Sequence, residues 1–238
     1  MKDSTISVAR VRAIYDRAYS NPGLMGTHLD KEYSQVTKTT LIDMCRNGVP
    51  HRILDLGTGD GDLWQFAPRQ WEWHAIDISP IGVRRTIDRF SNVLGAAAIA
   101  ENLPYPTGYF GVVIAADTVE HVFDLRAALL EVRRVLVNGG YFALSVPTPN
   151  SLPKWAYNRF IGQRPSPILF AKLLYTILAR AVLFGHPAFQ PIDRDLSVDE
   201  WHELITQAGF VIEQSVSWPQ PPLKAIVHLF GARAGAEQ

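Results

Sequence analysis

The chain has 238 residues and a mass of 26.6 kDa, which is enough for one large domain or two small ones with a sizeable buried core. Apolar residues make up 47% of the sequence and charged residues 19%, a globular composition that excludes a disordered, collagenous or disulfide-scaffold protein. The 23 Lys and Arg residues balance the 23 Asp and Glu residues, so we expect neither nucleic acid nor an anionic membrane as a main partner.

Two helices are predicted before the first strand. Apolar residues recur at three- and four-residue spacing over residues 4–21, and a second helical pattern covers residues 30–46. The opening segment MKDSTISVAR lacks the apolar stretch of a secretory leader, and the lone Cys45 has no partner for a disulfide or a thiolate zinc site. We therefore expect a cytoplasmic protein in which residues 1–48 form a helical cap and Cys45 packs inside a helix.

From position 51 onward, short apolar runs alternate with helical segments. Strands are predicted at 52–56, 73–78, 94–99, 111–116 and 141–146. An amphipathic helix precedes the fifth strand, with an apolar stripe that runs from Leu125 to Leu136, and Asn138-Gly139-Gly140 is expected to end it. The alternation predicts an α/β core over residues 50–150, a doubly wound and mostly parallel sheet with helices on both faces.

The regular alternation ends after the fifth strand. A Pro-rich segment leads to a very apolar helix at 168–184, which is shorter than the roughly 20 residues that span a bilayer. Residues 151–196 are predicted to be a helical insertion that acts as a lid over a lipophilic or aromatic acceptor. A homodimer face and peripheral membrane contact through 168–184 are the alternatives.

A C-terminal helix and hairpin complete the predicted domain over residues 197–230. The helix is expected at 197–208, and two antiparallel strands are expected at 211–217 and 223–230. The predicted fold is thus a single Rossmann-like domain, 1–238, built on seven strands.

A glycine-rich turn, GTGDG, follows the first strand directly. Gly57, Gly59 and Gly61 allow the backbone to turn tightly and to approach a ligand without a Cβ in the way. A dinucleotide fingerprint needs its third glycine at position 62, which is Asp62, and a P-loop needs a Lys-Ser/Thr pair that does not follow. An acidic loop suits a cationic ligand better than a pyrophosphate.

These residues resemble the class I S-adenosylmethionine-dependent methyltransferases, in particular the branch that acts on small molecules. ILDLGTGDG is similar to the family's first motif, HAIDISP to the second, AAAIAENLPYPTGYFGVVIAADTVEHV to the third and fourth, and EVRRVLVNGGYFALSVPTPN to the fifth. The resemblance implies S-adenosylmethionine as cofactor and a small-molecule acceptor. The residues that it assigns to the cofactor are Asp55, Gly57, Thr58, Gly59, Gly61, Asp77, Ile78, Ala100, Glu101, Asn102, Asp117 and Thr118.

The sequence departs from the family pattern at Ile99, where many relatives carry an acidic residue. Because an isoleucine side chain cannot accept a hydrogen bond from the adenine amino group, we expect this contact at the backbone of Ala100 or at Glu101. Gly111 also replaces a common aspartate, whose role in the family is largely structural.

Three side chains are candidates for handling the acceptor. His121 follows the fourth strand and could accept a proton near neutral pH, or it could shape the loop together with Glu120. Tyr15 and Tyr19, four residues apart on the first helix, could line the acceptor pocket or pack in the core. No metal-ligand spacing is present, and neither Ser145 nor Ser151 has the context of a nucleophile.

Three functions fit these motifs. The leading hypothesis is methyl transfer from S-adenosylmethionine to an oxygen or nitrogen atom of a small, lipophilic or aromatic metabolite. A non-catalytic sensor, or the partner subunit of an active methyltransferase, would use the same cofactor loop without turnover. An NAD-dependent oxidoreductase is the third, and Asp62 in place of a glycine argues against it.

Overall fold

Seven strands alternate with helices in a computed structural model, which describes residues 6–21, 31–45, 52–68, 70–90, 92–148, 191–194, 196–220 and 225–235. The strands are β1 (Arg52–Leu56), β2 (Glu72–Asp77), β3 (Val93–Ala97), β4 (Phe110–Ala116), β5 (Leu136–Thr148), β6 (Phe210–Gln220) and β7 (Ala225–Ala234). The α-helices in these ranges are α1 (Val8–Ser20), α2 (Lys31–Cys45), α3 (Pro80–Arg89), α4 (Leu125–Val135) and α5 (Val198–Gln207).

The strands form one sheet in the order β3-β2-β1-β4-β5-β7-β6. Strands β1 to β5 pair in parallel, and β7 and β6 close the sheet as an antiparallel pair. The predicted fold class is therefore confirmed. The chain reverses its direction of travel across the sheet between β1 and β4, so a crevice opens at their carboxyl ends, where open α/β sheets bind ligands.

The two faces of the sheet carry separate apolar cores because successive residues of a strand point to opposite faces. On β1, Leu54 belongs to the core beneath α4 and α5, whereas Ile53 belongs to the core beneath α2. Asp124 begins α4 by accepting a 3.0 Å hydrogen bond from the Ala127 amide, and a capping box between Ser197 and Glu200 begins α5. These caps hold the two helices at the edge where the crevice opens.

One predicted boundary is wrong. Helix α4 ends at Val135, and Leu136 already has an extended backbone and pairs with Phe110 of β4. The segment Asn138-Gly139-Gly140 does not stop the helix but lies within β5, next to an irregularity in the register with β4. The prediction failed because a buried leucine at the end of an apolar stripe fits a helix and a sheet equally well.

Other differences are smaller. Strand β3 ends at Ala97, so positions 98 and 99 belong to the following loop, and β6 and β7 are longer than predicted. A short 3₁₀ helix, Asp62–Phe66, follows the glycine loop. The insertion helix predicted at 168–184 lies outside the described residues, and the division of the chain into segments stays a prediction. Within the described ranges, no helix combines the length and the apolar character needed to cross a membrane.

Candidate functional site

Asp55, near the end of β1, is a buried carboxylate that holds the glycine loop from beneath. Its Oδ2 accepts hydrogen bonds from the Thr58 hydroxyl at 2.7 Å and from the Trp64 indole Nε1 at 2.6 Å. Burial raises the pKa of Asp55 to about 6, although both donors favour the ionised form. No sequence motif indicates the role of Trp64, which reaches Asp55 because the chain turns back in the short 3₁₀ helix.

Asp77, at the end of β2, joins three segments around the crevice. Its Oδ2 accepts hydrogen bonds from the Gly59 amide at 3.0 Å and from the Tyr19 hydroxyl at 3.4 Å, and its Oδ1 accepts one from the Ser79 amide at 2.8 Å. The residue is 6% exposed, and this burial raises the pKa of its carboxyl to about 6. The predicted ribose-binding acid therefore lies beside the glycine loop, and its contact with a ribose stays a prediction.

The glycines of the loop are needed for contacts within the protein as well as for a ligand. Gly57, Gly59 and Gly61 have φ values of 78°, 57° and 81°, in the region that favours glycine. A Cβ on Gly57 would lie 2.3 Å from the Cγ2 and Oγ1 atoms of Thr118, and one on Gly59 would lie 3.1 Å from the Tyr19 hydroxyl. Thr118 and Tyr19 thus pack directly against the loop that was predicted to hold the cofactor.

Helix α1 covers the carboxyl ends of β1 and β2. Arg12 Nε donates to the Ile78 carbonyl at 3.0 Å, the Ser79 hydroxyl donates to Asp16 Oδ1 at 2.5 Å, and Arg85 Nη1 donates to the Tyr19 carbonyl at 2.5 Å. These bonds fix the helix so that Tyr19 reaches Asp77.

The Tyr15 ring stacks on that of Tyr19, with 6.3 Å between their centroids. Burial, together with the nearby carboxylates of Asp77, Glu120 and Asp193, raises the pKa of Tyr15. The Tyr15 hydroxyl is therefore neutral and lies among acidic side chains. Both tyrosines border the crevice, and their predicted contact with an acceptor stays a prediction.

The residues predicted to face the adenine lie on the loop after β3. The Ala98 amide donates to the Asp77 carbonyl at 3.0 Å, which places this loop beside the end of β2. Ala100 is buried, and the Asn102 amide donates to the Ile99 carbonyl at 3.2 Å. Glu101 Oε1 accepts a 2.9 Å bond from the Asp124 amide, while its Oε2 is buried without a hydrogen-bond partner among the described residues.

Asp117 begins the loop after β4 in an uncommon conformation, with φ of 49°. Its amide donates to Ser145 Oγ at 3.0 Å, and the Ser145 hydroxyl donates to Asp117 Oδ1 at 2.7 Å. Ser145, considered in the sequence only as a nucleophile, instead holds Asp117 from the neighbouring strand β5. This pair was not foreseen, because their contact depends on which strands are adjacent.

His121 is held by residues near the end of the predicted insertion, 151–196. Its Nδ1 lies 2.7 Å from the Ile192 carbonyl, which can only accept, so Nδ1 carries the proton. Its Nε2 lies 3.4 Å from Glu120 Oε1, and its side chain is 11% exposed. Burial lowers the pKa of His121, which is therefore a neutral imidazole near pH 7. This geometry favours the loop-shaping alternative, and a role as base stays a prediction.

Arg194 fastens the same segment to the loop after β4. Its guanidinium donates to the carbonyls of Glu120 at 3.2 Å, Val122 at 2.5 Å and Phe123 at 2.8 Å. The residue lies 74 positions beyond Glu120, and no sequence motif marks it. The structure thus brings together the residues predicted around the glycine loop, Asp77 and Thr118, and adds Trp64, Ser145 and Arg194 as their supports.

Metal binding finds no support in the described ranges, where no group of three or more His, Cys, Asp or Glu side chains could hold an ion. His202 is exposed on α5, and His186 and Ser151 lie outside the described residues. Cys45 is fully buried at the end of α2, in the core that was expected for it. Asp55, Asp77, Asp117 and Glu120 instead supply four acidic side chains around the crevice, which suits a ligand with positive charge.

Comparison with protein families gives a match over most of the chain. A family model described as a methyltransferase domain matches residues 25–215. A ubiquinone/menaquinone biosynthesis C-methyltransferase of Coxiella burnetii is 28% identical over 145 residues, which are 57% of this chain and 58% of that protein. The chain therefore spans just over half the length of this curated relative.

Solved structures share the fold at low sequence identity. The Burkholderia thailandensis 1,6-didemethyltoxoflavin-N1-methyltransferase, solved with 1,6-didemethyltoxoflavin and S-adenosylhomocysteine, is 16% identical and has a TM-score of 0.69, with 99% of this chain and 94% of that chain covered. The cyclase SpnF is 15% identical and has a TM-score of 0.67, with 95% and 96% covered. At these identities the likeness concerns the fold alone, and the two names differ in the reaction.

Proposed function

The chain belongs to the family of methyltransferase domains, and from that membership we propose that it transfers a methyl group from S-adenosylmethionine to an oxygen or nitrogen atom of a small, lipophilic or aromatic acceptor. The observation that carries the proposal is the position of Asp77. Its carboxylate ends β2 and accepts a hydrogen bond from Gly59 in the loop after β1, at the edge where the crevice opens.

The residues around the crevice fit this cofactor. Asp77 would accept hydrogen bonds from the hydroxyls of the ribose, and the loop from Gly57 to Gly61 would lie along the methionine end. The residues that would enclose the adenine are Ile78, Ala100, Glu101 and Asn102. S-adenosylmethionine supplies an already activated methyl group, so the main task of the protein is to align the acceptor and exclude water. The position of α1 supports this role, because its hydrogen bonds to Ile78 and Ser79 hold it beside the end of β2, where a cover would exclude water.

The acceptor side is proposed to lie between α1 and the loop after β4. Tyr15, Tyr19 and His121 border this space and could orient an amine or hydroxyl group. The lipophilic character of the acceptor rests on the apolar sequence 168–184. The whole protein is proposed to act in the cytoplasm. Residues 168–184 could form a homodimer face or a peripheral membrane contact. Light scattering would detect the homodimer, and vesicle flotation would detect the membrane contact.

Calorimetric titration with S-adenosylhomocysteine and, in parallel, with NAD tests the cofactor. We expect micromolar binding of S-adenosylhomocysteine and no binding of NAD. In Asp77→Ala the affinity for S-adenosylhomocysteine should fall at least tenfold. A tenfold change in affinity corresponds to roughly 1.4 kcal/mol, which is less than a hydrogen bond to a charged group contributes. The matched control is Asp88→Ala, which removes an exposed carboxylate from α3 and should leave affinity unchanged. Unchanged affinity in Asp77→Ala would refute the assignment, and binding of NAD alone would favour an oxidoreductase.

Transfer of tritium from labelled S-adenosylmethionine to a panel of phenols and aromatic amines then separates an enzyme from a sensor. Turnover of any acceptor supports the proposed reaction. Tight cofactor binding without turnover across the panel, or turnover only when a second protein is added, favours the sensor or partner-subunit alternative.

A further inference from the structure

Glu120 is a buried acid that the proposed cofactor contacts leave unexplained. The residue is 1% exposed, and its Oε2 has no hydrogen-bond partner among the described residues. Its Oε1 lies 3.4 Å from Nε2 of the neutral His121. A carboxyl oxygen removed from water without a donor is costly, and native proteins rarely retain one without a ligand or a function that compensates it.

The position of Glu120 connects it to the cofactor loop. It lies two residues after Thr118, whose side chain packs against Gly57 so closely that a Cβ there would lie 2.3 Å away. The loop after β4 therefore meets the loop after β1, and Glu120 belongs to the same loop as Thr118.

Glu120 accepts a hydrogen bond from its own backbone amide, but the side chains that face it from the surrounding elements do not neutralise its charge. Asp117 and Asp193 carry the same sign, and the Tyr15 hydroxyl is neutral. His121 is neutral, and the guanidinium of Arg194 donates to main-chain carbonyls of the loop. Burial, with a contribution from Asp117, raises the pKa of Glu120 and so favours its protonated form in the free protein.

We propose that Glu120 is the counter-charge of the sulfonium group of the methyl donor, and that it makes the site prefer the donor to its neutral demethylated product. A sulfonium carries a full positive charge but has no N–H or O–H to donate, so a carboxylate oxygen without hydrogen bonds suits it. On binding the donor, the Glu120 carboxyl releases its proton to solvent. The neutral thioether of S-adenosylhomocysteine offers no such charge, so the carboxyl stays protonated with the product.

This inference rests on the proposed function, because it requires the methyl donor in the crevice. Its test is calorimetry at pH 7 in phosphate and in Tris, whose different ionisation enthalpies report the protons released on binding. We expect the wild-type protein to release measurably more protons with S-adenosylmethionine than with S-adenosylhomocysteine. Asp55 and Asp77 respond equally to both ligands, so their contributions cancel in this difference.

In Glu120→Gln we expect the difference in released protons to disappear and the preference for the donor over the product to fall at least tenfold, because the glutamine amide offers the sulfonium no negative charge. Glu203→Gln, an exposed change on α5, is the control and should behave as the wild type. A proton difference and a preference that persist in Glu120→Gln would overturn the inference.

Two further outcomes are also decisive. If the wild-type protein binds neither ligand, the proposed function itself fails. If Glu120→Gln does not fold, as judged by circular dichroism, the wild-type titrations alone decide, and equal proton release with both ligands refutes the role of Glu120.

Discussion

The hydroxyl of Tyr19 on α1 donates a hydrogen bond of 3.4 Å to Oδ2 of Asp77 at the end of β2. The same oxygen accepts the Gly59 amide at 3.0 Å, so one carboxylate connects the covering helix to the cofactor loop. In the proposed function this oxygen also receives the ribose hydroxyls. In the free protein, therefore, the Tyr19 hydroxyl donates to the same carboxylate oxygen that the ribose of the ligand would use.

Replacing Tyr19 by Phe should separate these two roles. The change removes one donor but keeps the ring, so we expect the free energy of unfolding to fall by about 0.5–1.5 kcal/mol. The affinity for S-adenosylhomocysteine should rise two- to fivefold, because the ligand no longer displaces a hydroxyl from Asp77. Thermal unfolding and calorimetry measure the two effects, and a tenfold loss of affinity would instead make Tyr19 a direct ligand contact.

The affinity for S-adenosylhomocysteine should depend on pH through Asp77. Burial raises the pKa of this carboxyl to about 6 in the free protein, and ribose donors bind the ionised form. Affinity should therefore be constant above pH 7 and fall by up to tenfold per pH unit below about pH 6. Titrations between pH 5 and 8 check this, and Asp77→Asn should remove the dependence.

The stability of the free protein should change in the opposite direction. Asp55 and Asp77 both have pKa values of about 6 against an ordinary value of 3.8, so the folded state binds more protons than the unfolded state between these limits. The contribution of both groups to the free energy of unfolding is therefore complete below about pH 4 and is lost as the pH rises through 6. Urea unfolding from pH 4.5 to 7.5, compared with Asp77→Asn, measures this contribution.

Trp64→Phe should weaken the support of the cofactor loop. The change removes the indole donor that lies 2.6 Å from Asp55, whereas Trp73→Phe removes an indole nitrogen that has no partner in the described structure. Both changes remove similar ring volume in the same core. We expect Trp64→Phe to cost about 1–3 kcal/mol more than Trp73→Phe at pH 8, where Asp55 is ionised, and less at pH 5. Equal costs in urea unfolding at both pH values would contradict this.

Gly57→Ala should destabilise the protein because its Cβ meets the Thr118 side chain at 2.3 Å and its φ is 78°. We expect a loss of at least about 2 kcal/mol from the clash and the strained backbone together. In Thr118→Ala the two atoms nearest the new Cβ are absent, so the double variant should lose less than the sum of the single changes. Additive losses of unfolding free energy in a double-mutant cycle would show that the side chains at positions 57 and 118 do not interact.

The motifs of this chain could be interpreted from the sequence because they depend on which residues lie close together along the chain. Strands β1 to β5, the glycine turn after β1 and the acid at the end of β2 follow from apolar periodicity and from spacing along the chain. The boundary between helix and strand at Leu136 could not be predicted in this way, because an apolar residue there fits both a helix and the sheet pairing with Phe110. Residues 168–184, on which the nature of the acceptor rests, lie outside the described structure and keep their interpretation from the sequence.

The sequence by itself determined the fold class, the family and the position of Asp77, since these depend on residue types at fixed separations. Only the tertiary structure decided which groups satisfy the buried carboxylates. Trp64 reaches Asp55 through a short 3₁₀ turn, Tyr19 reaches Asp77 across 58 positions, and Arg194 reaches the Glu120 loop across 74. Such partners are set by the order of strands in the sheet and by the helices that cover its edge, because a buried charge is stabilised by the donors that surround it in space.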